Sequence, residues 1–127
     1  RYEELTYLDV LSRDLAARGH YPAIDVLRSK SRVMPAVAPR PQVLASHEVT
    51  ARLAKLEEIE ILVQVGEYRQ GSDAMADEAL ATRGDMESFL QQSTADRSSR
   101  DDTLARLADA CAGGSAGACP IITAFEP

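Results

Sequence analysis

The sequence has no Trp, 5% aromatic residues and two cysteines in 127 residues. So few rings argue against a sheet sandwich, which draws on aromatic and β-branched residues, and leave Ala, Leu, Val and Ile to fill a core. Cations are also in the minority: 14 Lys and Arg face 20 Asp and Glu, for a net charge of −6. A nucleic-acid surface needs clustered cations, so that class of partner is excluded. No apolar run approaches the ~20 residues that span a bilayer, and the first residues show no basic, apolar and cleavage-site succession. A soluble chain, peripheral to a membrane at most, is expected.

Cys111 and Cys119 sit in a Gly/Ala-rich stretch without C-x-x-C spacing and read as reduced thiols rather than a disulfide. His20 and His47 are far apart and offer no H-x-x-x-H pair, so no metal site is expected. Both histidines read as surface or structural residues rather than acid-base catalysts.

What is present points to helices. Leu5, Leu8, Leu11 and Leu15 follow near-helical spacing from Tyr2 to Arg18, with Gly19 as a stop and a short extended piece around Asp9 to Leu11. HYPAID then reads as a short strand or extended run, because Pro22 biases Tyr21 toward extended backbone. The three prolines of MPAVAPRP, between Val33 and Pro41, predict a stiff linker and the best internal boundary.

A long amphipathic helix is expected from Gln42 to Tyr68, with Leu53, Leu56, Ile59 and Val63 in the core and Glu57, Glu58 and Glu60 on its solvated face. Gly71 then ends that helix and Ser72 or Asp73 caps the next, giving a helical hairpin. Gly84-Asp85 is expected to separate this second helix from a third over Met86 to Gln92. Ser99 followed by Asp102 resembles a capping box before a fourth helix, which ends near Cys111. The expected organisation is therefore 1–41, 42–111 and a flexible tail 112–127 whose Ile121, Ile122 and Phe125 form a last apolar patch.

The stretch GHYPAIDVLRSKSRVMP, with VLSRDLAARGHYPAID upstream and LVQVGEYRQGSDAMADEAL and ESFLQQ downstream, resembles the export ATPases of type III secretion systems and flagella. These are relatives of rotary ATP synthase subunits. The resemblance covers about Val10 to Gln92 and implies a mainly α fold: a helical bundle with a short extended segment near the N-terminus, forming the C-terminal piece of a P-loop ATPase. Leu8-Asp9-Val10-Leu11-Ser12-Arg13 departs from the family's L-D-G-H-I-V-L-S-R, so a shortened strand is expected there.

The resemblance also implies site residues. Arg32 matches the family's arginine finger, whose planar, permanently charged fork suits a phosphate at a subunit boundary. Tyr21 matches a position beside the adenine, and Phe89 falls near a second such position. Without the resemblance, Arg32 reads as a surface or ion-paired arginine and Tyr21 equally well as a half-buried core residue. Ser29 and Ser31 are expected to hold the loop in a turn, with Val33-Met34 anchoring it and Asp25 orienting backbone or the Arg32 loop.

No G-x-x-x-x-G-K-[ST] occurs, and neither Lys30 nor Lys55 follows a Gly, so this chain alone is expected not to hydrolyse ATP. ATP and Mg²⁺ belong to the intact family assembly. The implied partners are other ATPase subunits in a homo-hexamer, chaperone and substrate complexes, and stalk and regulator proteins. The implied location is the cytoplasmic base of the export apparatus, peripheral to the inner membrane. A non-catalytic helical interaction or regulatory module of the same ancestry is the alternative.

Overall fold

The computed structural model describes residues 7–112. Ser12 begins the first helix in extended backbone, and its hydroxyl accepts from the Leu15 amide at 3.3 Å. The resulting α1, Arg13–Ala17, is only one and a half turns long because Gly19 follows at φ 72, a left-handed conformation that Gly adopts without a Cβ clash. Upstream, Tyr7–Leu8 (β1) pairs antiparallel with Lys30–Ser31 (β2). The helix expected from Tyr2 to Arg18 is thus corrected within the described residues: backbone hydrogen bonds to β2 hold Tyr7 and Leu8 extended, and helix begins only after Ser12. HYPAID forms no strand: Tyr21 and Pro22 make a bend, and only Ile24 pairs, in a single bridge to Leu11.

The prolines act differently from a stiff linker. Pro35 occupies the first turn of α2, Met34–Val37, and Pro41 the first turn of α3, Arg40–Gln64. At those positions no intrahelical partner awaits the missing N–H and the fixed φ suits a helix, so proline starts these helices instead of breaking them. At the far end α3 stops at Gln64, with Gly66 at φ 73, several residues before the expected stop at Gly71.

Asp73 caps α4, Ala74–Leu90, by accepting from the Met75 and Ala76 amides. This helix runs unbroken through Gly84-Asp85, where a break was expected. Ala76, Ala79, Thr82 and Met86 are buried at spacings of three to four and keep one face in contact across the glycine. That packing outweighs the ~1 kcal/mol that Gly loses to Ala in a helix. Ser99 accepts from the Asp102 amide at the start of α5, Arg100–Ala112, as the capping pattern implied.

Helices α3, α4 and α5 pack against one another around Ala45, Val49, Met86, Leu107 and Cys111, with Leu53, Leu56 and Phe89 at the border. Burying a side chain such as Met86 stabilises by roughly 1.5–3 kcal/mol. Ile59 is buried as expected, but Val63 is exposed, because the core stripe ends before the last turn of α3. Cys111 lies in α5, as the expected fourth helix implied, and its thiol donates to the Ala45 carbonyl at 3.4 Å. Cys119, Ile121, Ile122 and Phe125 lie outside the described residues.

One charged side chain enters this core. Arg52 of α3 is 3% exposed. Its Nε donates to Glu48 at 3.1 Å, one Nη to Glu78 of α4 at 2.7 Å, and the other to the Cys111 carbonyl of α5 at 2.8 Å. All three helices are tied at one guanidinium. No helix among the described residues is long and apolar enough to cross a membrane.

Candidate functional site

The loop that carries the singled-out residues is stitched by a short series of bonds. The Asp25 amide donates to Val10 at 2.7 Å and the Ser12 amide to Ala23 at 2.8 Å. The Ser29 hydroxyl accepts from the Val10 amide at 3.0 Å and donates to the Asp25 carbonyl at 2.6 Å, closing the turn from Asp25 to Ser29. The Asp25 carboxylate then accepts from the Arg28 amide at 3.2 Å and from its guanidinium at 2.7 Å. Asp25 therefore orients the loop backbone. Ser31 lies exposed in β2 and makes no hydroxyl bond with any described residue, and Val33 is exposed instead of anchoring the loop.

Arg32 follows β2 directly and is exposed, with no hydrogen bond or ion pair to any described residue. A guanidinium just past this strand, without a partner among the described residues, is available to an anion from outside them. Tyr21 is 57% exposed, so it is not the half-buried core residue of the simpler reading. Its carbonyl accepts from the Gln92 amide at 2.8 Å. That bond brings the Tyr21 backbone to the C-terminal end of α4, where Phe89 is half-buried against the helical core. Tyr21 and Phe89 are thus placed at one end of α4, while Arg32 lies beyond β2.

Four residues before Arg32, Arg28 spans two elements. Its second Nη donates to Glu57 of α3 at 3.3 Å. The Asp25 hydrogen bond, followed by that to Glu57, holds the Arg28 charge and raises its pKa from the ordinary arginine value. Sequence reading placed Glu57 on the solvated face, where it is, but gave no sign of Arg28 opposite it.

The tip of the α3–α4 hairpin is equally well bonded. The Tyr68 hydroxyl donates to Asp77 at 2.6 Å, and the other oxygen of Asp77 accepts from the Gly71 amide at 2.8 Å. The bond to Asp77, and then burial, raise the Tyr68 pKa. Lys55 of α3 reaches Asp73 at 3.2 Å, and this contact, ahead of the Ala76 amide, holds the Asp73 carboxyl below its ordinary range. Around this rigid turn Ile61, Val65 and Met75 are exposed.

Because Asp73 has a lower pKa folded than unfolded, its contribution is present above about pH 4 and is lost as pH falls through the folded value. Asp73→Ala is expected to lower Tm at pH 7, with the gap from the parent narrowing between about pH 5 and pH 3. Thermal melts across that range check this; a gap independent of pH would show that the carboxylate charge is not what stabilises the turn.

Comparison with known proteins places these features. The model of the T3SS EscN ATPase C-terminal domain matches residues 38–109, more than half of the chain. The type 3 secretion system ATPase of Xanthomonas euvesicatoria is 50% identical over 98 residues, which are 77% of this chain and 22% of the relative. The flagellum-specific ATP synthase of Treponema pallidum is 48% identical over 98 residues, with the same shares. The assembled ATPase EscN of enteropathogenic E. coli superposes with a TM-score of 0.83 at 38% identity, covering 87% of this chain and 27% of that one. The same ATPase in complex with its central stalk EscO gives 0.82 at equal identity and coverage. The chain spans about a fifth of the length of the curated relatives it matches. Its sequence, its helical bundle and the loop leading into it agree, and the chain belongs to the family of C-terminal domains of type III secretion and flagellar export ATPases.

Proposed function

We propose that this chain is the C-terminal portion of an export ATPase subunit and serves its ring in two ways: Arg32 reaches the phosphates of ATP held by a neighbouring subunit, and the helical domain meets protein partners. The observation that carries this reading is Arg32 itself, exposed and without a partner among the described residues, directly after β2, into which a turn fixed by Asp25 and Ser29 leads. A guanidinium delivered from such a turn stabilises charge that develops on the transferred phosphoryl oxygens. Tyr21, exposed at the end of α4, offers its ring to the adenine, with Phe89 of the same helix end as the second base-side residue. The phosphate cradle and the ligands for Mg²⁺ come from the nucleotide-binding core and not from this segment.

The domain 42–111 contributes to assembly of a hexameric ring and to contacts with chaperone and substrate complexes and with a stalk, at the cytoplasmic base of the export apparatus. The solved EscN assembly and its complex with EscO support ring and stalk partners for a subunit of this family. The exposed apolar residues at the hairpin tip suit a helical partner, which docks by an apolar stripe. That same observation favours the second reading, a non-catalytic interaction module derived from such an ATPase.

Calorimetric titration of the 127-residue chain with ATP and Mg²⁺, run beside a phosphate-release assay, tests the division of labour. No turnover and no tight nucleotide binding are expected. Turnover would mean that a complete site lies within this chain and would overturn the proposal.

A further inference from the structure

A groove of about 740 Å³ runs between residues 10–28 and the flanks of α3 and α4, floored by Leu15, Leu53, Leu56 and Leu90. Two polar contacts bridge the loop region and the bundle among the described residues: the Gln92 amide to the Tyr21 carbonyl, and Arg28 to Glu57. The first is fixed backbone. The second is a side-chain contact, and it lies four residues before Arg32.

From this we infer that Arg28 is a positioning residue, clamped between Asp25 and Glu57, that sets the Arg32 loop against α3; the inference rests on the proposed role of Arg32. The geometry suits the task. Asp25 takes one Nη at 2.7 Å and Glu57 the other at 3.3 Å, so one planar fork serves the turn and the helix together. A lysine presents a point charge on a flexible stem and cannot hold two carboxylates in that fixed relation. From Asp25 the restraint passes through Ser29 into β2, which ends at Ser31 beside Arg32.

At its other end the clamp meets a long lever. Glu57 stands seven residues before the end of α3, roughly 10 Å along the axis from the exposed hairpin tip. Displacement of α3 by a partner at that tip is felt at Glu57, and through Arg28 at the loop. Because the pair is exposed, its energy is small and it biases the loop without locking it.

The test uses rings assembled from full-length subunits that carry this segment. Glu57→Gln leaves the Arg28–Asp25 pair intact and is expected to lower kcat about two- to fivefold with KM for ATP unmoved. Arg28→Lys is expected to do the same, and the double variant to be no worse than either single one, since both remove the same clamp. Unchanged kcat in Glu57→Gln rings, or losses that simply multiply in the double variant, would overturn the clamp. Arg32→Ala measured in parallel separates the two ideas: if it abolishes turnover while Glu57→Gln does nothing, the clamp fails and the finger stands; if Arg32→Ala rings turn over normally, the finger itself fails.

Discussion

Replacing Arg32 by Ala in the assembled ring is expected to reduce ATP turnover by about 10³- to 10⁵-fold, the range seen when an arginine finger is removed from a phosphoryl-transfer site. The size of the loss follows from where the charge acts. A guanidinium that meets the γ-phosphoryl oxygens only as they take on charge stabilises the transition state over the ground state, so kcat falls while nucleotide binding is largely retained. Folding should be unaffected, because the side chain is exposed and bonds no described residue. Turnover assays on rings checked for assembly by light scattering give the answer. Arg32→Lys keeps the charge but loses the planar fork, and should recover only part of the rate.

The second large effect lies in the bundle. Arg52→Ala removes three hydrogen bonds, one within α3 to Glu48 and two that join α3 to Glu78 of α4 and to the Cys111 carbonyl of α5. The expected loss is about 2–4 kcal/mol, below the upper range for breaking a buried ion pair because both glutamates keep over a third of their surface in water and can rehydrate. For a domain of this size that lowers Tm by on the order of 10 °C or more. Arg52→Met should be milder, since it refills the volume of the stem and strands no charge in the core. Urea or thermal unfolding of the isolated chain measures both; an Arg52→Ala melt that overlays the parent would show that the three contacts contribute nothing net.

Much of the architecture was legible from local chemistry. Ser99 and Asp73 cap where their side chains predicted, and of the apolar stripe expected on α3 Ile59 is buried and Leu53 and Leu56 border the core. The misses share one cause: local punctuation was read without the contacts that overrule it. Gly84 looked like a break, yet the buried spacing from Ala76 through Thr82 to Met86 already ran across it. The prolines at 35 and 41 looked like breakers, but proline is harmless in a first turn.

Arg52 was invisible for a different reason. It falls on the stripe of Ala45, Val49 and Ile59, but an arginine is read as exposed by default, and the two partners that tie it to other helices are 26 and 59 positions away in sequence. The Arg28–Glu57 clamp, 29 positions apart, was hidden in the same way. Of the site, the identities of Tyr21, Phe89 and Arg32 came through their family resemblance, whereas the bonds that fix their loop came only with the fold.

The most direct measurement is a structure of the full-length ring bound to a transition-state analogue such as ADP with aluminium fluoride. The Arg32 guanidinium is expected within hydrogen-bond distance of the fluoride ligands on the neighbouring subunit's nucleotide. A well-ordered Arg32 turned away from every occupied site would contradict it.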